Sequence, residues 1–322
     1  MTKNVNTSGN DKKTLDLVSK RKIFYIISAA LVAISLLASL FGVDIAIEFK
    51  GGTMVSYSFD GEIDNNAAKK VIEEAIGEKV NVQQGDMFKS DKKNLVISLV
   101  SSEGLTADKQ SALTESLETA YPDNGLEILD STNVAASSGI NFFTKCIVAV
   151  VFSSIILILY IALRFKRISG WSSGVCAVIA LLHDVIITYG AFIIIGFQIN
   201  SNFVAVVLTI LGCSINNTIV VYDRIRENKK LMPGASIEDL VNTSTVQSVT
   251  RSIRTTVSTI VTMIIISIVA GIRGVSSIQS FAIPLIVGMT VGTYSSLLLA
   301  PSLWVSWQKA SDKKHPSKKA KA

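Results

Sequence analysis

His183 and Asp184 stand side by side in a long apolar run, where ionisable side chains are rare. An ionisable side chain inside a membrane span costs about 2.5 to 3.5 kcal/mol on insertion scales, so such a pair is placed there to handle a proton or an ion, or to satisfy its own members structurally. Counted from Gly174, the pair lies about ten positions into the run, or about 14 Å along a helix rising 1.5 Å per residue, near the middle of a bilayer. Other chemistry is sparse. His183 and His315 are the only histidines, and Cys146, Cys176 and Cys213 all fall in apolar stretches without paired spacing, as small packing residues do. No metal set, nucleophile and base pair, or cofactor loop can be assembled, so the sequence predicts neither an enzyme nor a bound cofactor. Thr255, Thr256, Ser258, Thr259 and Thr262 could line a hydrated path or bond back to their own helix carbonyls.

The elements that must position this pair are membrane helices. Of 322 residues 49% are hydrophobic and only 17% charged, and the mean hydropathy is +0.45. The apolar excess is aliphatic, which suits lipid. Six stretches approach the roughly 20 apolar residues a crossing requires: 24–43, 141–163, 174–197, 202–222, 255–271 and 281–304. The first follows a basic segment as a signal peptide would. It is long for one, and without a convincing cleavage site it reads as an uncleaved anchor.

The formal charge of +6 gathers at the ends of these runs rather than on a soluble face, which argues for topology and against nucleic acid. Lys12, Lys13, Lys20, Arg21 and Lys22 precede the first run, and Arg164, Lys166 and Arg167 join the second and third. Arg224, Arg226, Lys229 and Lys230 follow the fourth; Lys309, Lys313, Lys314, Lys318, Lys319 and Lys321 follow the sixth. The short connections on the other side, around Gln198 and around Gly274, hold a single basic residue, Arg273. Basic flanks stay cytoplasmic, so both termini are expected inside. The domains read as a cytoplasmic tail (1–22), a first transmembrane helix (23–43), an extracytoplasmic domain (44–140), a five-helix transmembrane bundle (141–306) and a basic cytoplasmic tail (307–322).

Within 44–140, Val55, Tyr57 and Phe59 alternate with polar residues as a strand. A helix follows with Ala67, Val71, Ile72, Ala75 and Ile76 on one face. Strands near Val80 to Gln84 and Leu95 to Val100 flank a polar turn from Gly85 to Lys93. A second helix capped by Thr106 buries Leu113, Leu117, Ala120 and Tyr121 and stops at Pro122; Leu126 to Val134 closes the set. The order is βαββαβ, the ferredoxin-like arrangement, so the predicted fold class is a six-span α-helical membrane protein with one α+β ferredoxin-like domain. Gly51 and Gly52 read as the tight turn into the first strand, not as a dinucleotide loop. Gly288 and Gly292 form a G-x-x-x-G that could serve packing within the bundle or a subunit contact.

Several stretches together resemble the SecF branch of the SecD/SecF family, part of the wider RND transporter superfamily. Ile47-Glu48-Phe49-Lys50-Gly51-Gly52-Thr53 is similar to its D-F-x-G-G-T signature, with Glu48 where Asp is usual. Tyr160 to Phe165 resembles Y-x-x-x-R-F, and Ala180-Leu181-Leu182-His183-Asp184 resembles A-L-x-H-D. Ser214 to Asn228, ending in Asp223-Arg224-Ile225-Arg226-Glu227-Asn228, and Val291 to Ser296 complete the match, which covers nearly the whole chain. The D-R-I-R-E-N string is the most specific of these.

The resemblance implies an accessory subunit of the Sec translocase in the cytoplasmic (inner) membrane. It would pair with SecD, dock on the SecYEG translocon and draw unfolded preproteins outward with the energy of a proton or sodium gradient. It implies an interaction role for Asp223, Arg224, Arg226, Glu227 and Asn228, beside the plainer reading of a solvated positive-inside face. It also exposes a departure: the family's S-I-N-D carboxylate, the usual proton carrier, is here Asn217, and an amide does not exchange a proton near neutral pH. Asp184, or an aspartate of the partner subunit, would then titrate. Arg251 matches an arginine held to face the acidic pair, and also reads as a snorkelling interfacial residue. Two other functions stay open: half of an RND-type small-molecule or lipid transporter, and a translocon assembly factor without ion coupling.

Overall fold

The structure, a computed structural model, describes residues 16–86, 92–99, 105–273 and 275–314. Lys12, Lys13, Gly274, His315, Lys318, Lys319, Lys321, Val100 and the middle of the 85–93 turn lie outside the described residues. In chain order the elements are α1 (Arg21–Ala38), α2 (Ile47–Lys50), β1 (Gly52–Phe59), α3 (Asn65–Ile76), β2 (Val80–Asp86), β3 (Lys93–Leu99), α4 (Ala107–Ala120), β4 (Glu127–Val134), α5 (Ala136–Arg164), α6 (Gly170–Ile195), α7 (Ser201–Leu231), α8 (Ile237–Ile272), α9 (Ser276–Tyr294) and α10 (Ala300–Lys314). Among the described residues, six helical stretches are long and apolar enough to cross a membrane, the sixth formed by α9 and α10 together.

The segment between α1 and α5 folds into a four-stranded antiparallel sheet in the order β2-β3-β1-β4, with α3 and α4 on one face. Asp64 caps α3 by accepting from the Asn66 amide, and Thr106 caps α4 by accepting from Lys109, each satisfying an amide the first helical turn leaves free. The core between layers is Val55, Tyr57, Phe59, Ile72, Leu95, Ile97, Leu113 and Leu117. On α3 the buried stripe is Ala68, Ile72 and Ile76, whereas Ala67 and Ala75 face outward. A strict four-residue step lets one narrow ridge lie on the sheet, so an apolar set as wide as the one read from the sequence exceeds the contact. On α4, Ala120 is likewise exposed.

Residues 44–49 tie this sheet to the helices. Ile45 and Ile199 form a parallel bridge, with Ala46 N donating to Ile199 O at 3.1 Å and Ile199 N to Asp44 O at 2.8 Å. Phe49 stacks on Phe142 with centroids 5.5 Å apart and meets Phe143 edge-on at 5.6 Å. Gly51 and Gly52 both take positive φ, at 85° and 146°. A side chain at Gly52 would strike Leu99 O of the neighbouring strand, so only glycine lets β1 begin there.

Two long helices overshoot the apolar runs. α7 continues nine residues past Tyr222 to Leu231, and α8 begins at Ile237, well before Thr255. Both extensions lie at the end of the bundle away from the sheet. α6 is largely enclosed, burying most of its residues from Gly170 to Phe192 while Trp171, Ile179 and Leu182 stay exposed along one stripe.

Inside the small sheet, Tyr57 is fully buried and its hydroxyl meets Thr114 Oγ1 at 3.0 Å. Burial pushes the phenol above the ordinary tyrosine value, the Thr114 hydrogen bond acting the other way. The unfolded chain therefore gives up this proton first, so the contribution is intact below about pH 10 and declines as pH rises through the folded value. Calorimetry of the detergent-solubilised chain should show Tyr57→Phe costing about 1 kcal/mol at pH 8 and a shallower loss of Tm above pH 10 than in the parent.

Candidate functional site

Asp184 lies halfway along α6 and is fully buried. Its Oδ2 accepts from Ser214 Oγ of α7 at 2.8 Å and from Ser295 Oγ, just after α9, at 2.7 Å. Its Oδ1 lies 3.0 Å from His183 Nδ1, and His183 is the only ion-pair partner of the carboxylate among the described residues. His183 Nε2 is buried without a hydrogen-bond partner among those residues, while its ring lies 6.3 Å from that of Tyr294. A carboxylate held by hydroxyl donors and one imidazole, with no fixed cation, can exist in either protonation state. That is what proton or cation exchange requires, whereas a purely structural acid would be held by a permanent counter-charge.

The helix turn that supplies Ser295 is irregular. Residues Ser295–Leu299 form a π-bulge between α9 and α10, and the widened turn carries two successive serines, Ser295 and Ser296, onto the buried side. Ser296 Oγ donates to Ser214 O at 2.9 Å and accepts from Thr218 Oγ1 at 3.0 Å. Two elements, α7 and the π-bulge, thus reach the carboxylate of α6 through hydroxyls, and His183 reaches it through its imidazole.

Gly288 and Gly292 lie on the α9 face turned into the same bundle. A Cβ on Gly288 would collide with Ile210 and come within 2.8 Å of Thr188 Oγ1; one on Gly292 would lie 3.3 Å from Ser214 Oγ and 3.4 Å from Asp184 Oδ2. Their spacing therefore serves close approach of α9 to α6 and α7 within this chain.

Asn217 faces a different space. A cleft of about 110 Å³ between α7, α8 and α9 is lined by Asn216, Asn217, Thr255, Thr256 and Thr259, with Ser214 and Gly292 at its inner wall. Of the hydroxyls on α8, Thr255 and Thr259 also bond back to carbonyls one turn earlier, and Thr256 Oγ1 meets Thr293 Oγ1 at 2.9 Å. Arg251 is exposed one turn before Thr255, outside the lining, with no ion pair among the described residues. The structure does not bring Arg251 against Asn217 or Asp184.

The charged string closing α7 forms a separate clasp at the end of the bundle away from the sheet. Arg226 pairs with Asp223 at 2.7 Å and Arg224 with Glu227 at 2.5 Å, each three residues apart. Asp223 also holds Arg164 of α5 at 3.1 Å. Arg224 Nε donates to Gln247 Oε1 at 2.6 Å, and Asn228 Nδ2 donates to Ser244 Oγ and Gln247 Oε1 of α8. Nearby, Asn242 Oδ1 accepts from the Leu17 and Val18 amides and its Nδ2 donates to Asp16, fastening the segment before α1 to α8. At the opposite end Glu48 Oε2 accepts from the Ser201 amide at 2.8 Å, placing a negative charge on the first turn of α7.

Sequence reasoning missed Gln247, Ser244 and Asn242, which carry no charge and show no periodicity. Ser214, Ser295 and Ser296 lay within quoted motifs without a role. A pair of adjacent serines inside an apolar run was the signal that could have marked the last two.

The family described as Protein export membrane protein SecD/SecF, C-terminal, matches residues 113–310. The chain belongs to the SecD/SecF family. The matched stretch contains His183, Asp184, Asn217, Arg251, the clasp and both glycines of α9. Among relatives, the protein translocase subunit SecF of Petrotoga mobilis is 34% identical over 300 residues, 92% of this chain and 96% of that one. The SecF of Thermobaculum terrenum is 32% identical over 91% of this chain and 94% of that one. A crystal structure of SecDF from Thermus thermophilus, described as a translocon-associated membrane protein, superposes with a TM-score of 0.74 at 26% identity. It covers 91% of this chain, which spans only 38% of that longer one. With its six apolar helices, this SecD/SecF family member is a multi-pass membrane protein.

The close approach at Gly288 is testable in this SecD/SecF family member. Gly288→Val should overpack α9 against α7 and cost about 1 to 3 kcal/mol, lowering Tm in detergent. Gly234→Ala, at a glycine with no neighbour within 4 Å of the added carbon, should leave Tm within experimental scatter.

Proposed function

We propose that this chain is the SecF-type accessory subunit of the Sec translocase in the cytoplasmic (inner) membrane, pairing with SecD and acting beside SecYEG to promote late export of unfolded preproteins. The reading is supported by SecF relatives that match nearly from end to end and by a longer SecDF chain whose remaining length would correspond to the partner. In this reading both termini are cytoplasmic, because Arg164, Arg224, Arg226, Lys229 and Lys230 all lie at the end of the bundle away from the sheet. The βαββαβ unit within 44–140 is then an extracytoplasmic domain of the ferredoxin-like type, as its strand order β2-β3-β1-β4 suggests. Its position is that of a handle for the emerging chain, levered by the Glu48 contact to α7.

Gradient coupling rests on one observation: Asp184 is the fully buried carboxylate at mid-span, gripped by hydroxyls from α7 and the π-bulge. With Asn217 in place of the family's acid, Asp184 carries the exchangeable charge. Binding and release there alter the hydrogen bonds holding three elements together, and that alteration is passed through α7 to Ser201 and Glu48. Asn217 also favours a second reading, a translocon assembly factor with no ion coupling.

Gradient-dependent export in cells decides between them. Asp184→Asn should lower it roughly a hundredfold or more, the order contributed by a positioned proton-transfer group, while SecD still co-purifies in mild detergent. Unchanged export would leave the uncoupled factor, and a chain that never co-purifies with co-expressed SecD would remove both readings. Asn217→Asp, adding an acid to the cleft, should raise export at low gradient.

A further inference from the structure

Asp184 is enclosed, yet a group that exchanges protons must reach water. The cleft between α7, α8 and α9 comes closest to it. Ser214 and Gly292 belong both to the inner wall of that cleft and to the surroundings of the carboxylate. Gly292 presents no side chain, and the space its Cβ would occupy is bounded by Ser214 Oγ at 3.3 Å and Asp184 Oδ2 at 3.4 Å. The partition between cleft and carboxylate is therefore a single hydroxyl beside a missing side chain. On the other flank, Ser295 donates to the same Oδ2 but is not part of the cleft lining.

We infer that this cleft is the hydrated vestibule of Asp184, with Ser214 as its relay and Gly292 as its opening, an assignment that rests on Asp184 being the coupling site. The volume of about 110 Å³ holds several waters at about 30 Å³ each, and the two carboxamides and three threonines of the lining offer them partners. Hydronium in the vestibule gives a proton to Ser214 Oγ as that hydroxyl passes its own proton to Oδ2. Hydronium becomes water, the carboxylate becomes the neutral acid, and the serine is unchanged; release reverses each transfer. The titratable groups facing Asp184 are His183 on its own helix and, beyond the imidazole, Tyr294; α7 presents only the hydroxyl to it. Asn217 thus acts as a wall that binds water, which an amide does as well as a carboxylate without trapping charge beside the route.

The chain carries its own reporter, because Cys213 lines the cleft and is unpaired. The test uses the complex with SecD in membranes, in a Cys146→Ala, Cys176→Ala background shown to export. A charged, water-soluble methanethiosulfonate should modify Cys213, and the modification should slow gradient-dependent export. Modification by a lipophilic maleimide alone would mean the cleft faces lipid and would overturn the vestibule. Ser214→Ala and Gly292→Val should each reduce proton uptake by proteoliposomes roughly tenfold while Cys213 stays reactive, and Ser214→Thr, which keeps the hydroxyl, should restore most of it. Uptake unaffected by both Ser214→Ala and Gly292→Val would also overturn the assignment. Asp184→Asn separates the two levels: uptake unaltered by it defeats the coupling site and the vestibule together, whereas uptake abolished with Cys213 inert to the charged reagent defeats the vestibule alone.

Discussion

The architecture turns on a carboxylate that has donors but no permanent counter-charge. Asp184 is fully buried within α6, and its stabilisation comes from two serine hydroxyls and one imidazole. A fixed lysine or arginine would have locked it ionised, and an apolar pocket would have kept it permanently neutral. Hydroxyls allow both states, because each can turn to donate or accept. Much of the surrounding sequence follows from that demand: small residues on α9 so that it can approach, and a π-bulge so that two successive serines face inward.

The same demand explains how a local change could travel. α7 contributes Ser214 to the carboxylate, receives Glu48 at its first turn, and carries the clasp of Asp223, Arg224 and Asn228 at its far end. It is one continuous helix of 31 residues, so Ser214 is joined to both ends without a break. One end meets the segment that leads into β1, and the other meets α5 and α8. The clasp stabilises little as isolated surface ion pairs. Its effect is geometric, since Arg224 and Asn228 share Gln247 and thereby fix the rotation of α8 against α7.

Glu48 and Asn217 show how a departure from a family pattern is absorbed differently at two places. Glu48 keeps its carboxylate and reaches the Ser201 amide, so the extra methylene is accommodated at a partly exposed helix end. Asn217 gives up its charge, and its neighbours are consistent with that: the Asn216 carboxamide and several threonines, with Arg251 outside the lining. The neutral cleft and the buried acid are separate, and Ser214 belongs to both.

The order of helices and strands, the six apolar runs and the buried charge in the third were legible because each depends on local composition: helical or alternating spacing, turn and cap residues, and an expensive side chain in an apolar run. Thr106 announced its helix for the same reason, serving an amide three residues away. What the chain alone did not disclose were contacts between residues far apart in sequence. Asp184 meets Ser214 and Ser295 across separations of 30 and 111 residues, and no periodicity encodes such a meeting. The reach of α7 and α8 beyond the apolar runs was hidden as well, since Asn228, Ser244 and Gln247 bond across their polar extensions beside a few buried apolar residues, Ile225, Leu240 and Val241. Sequence decided which groups must be buried together; only packing in three dimensions decided which of them touch, because hydrogen bonds between helices depend on rotation and depth that local pattern leaves undetermined.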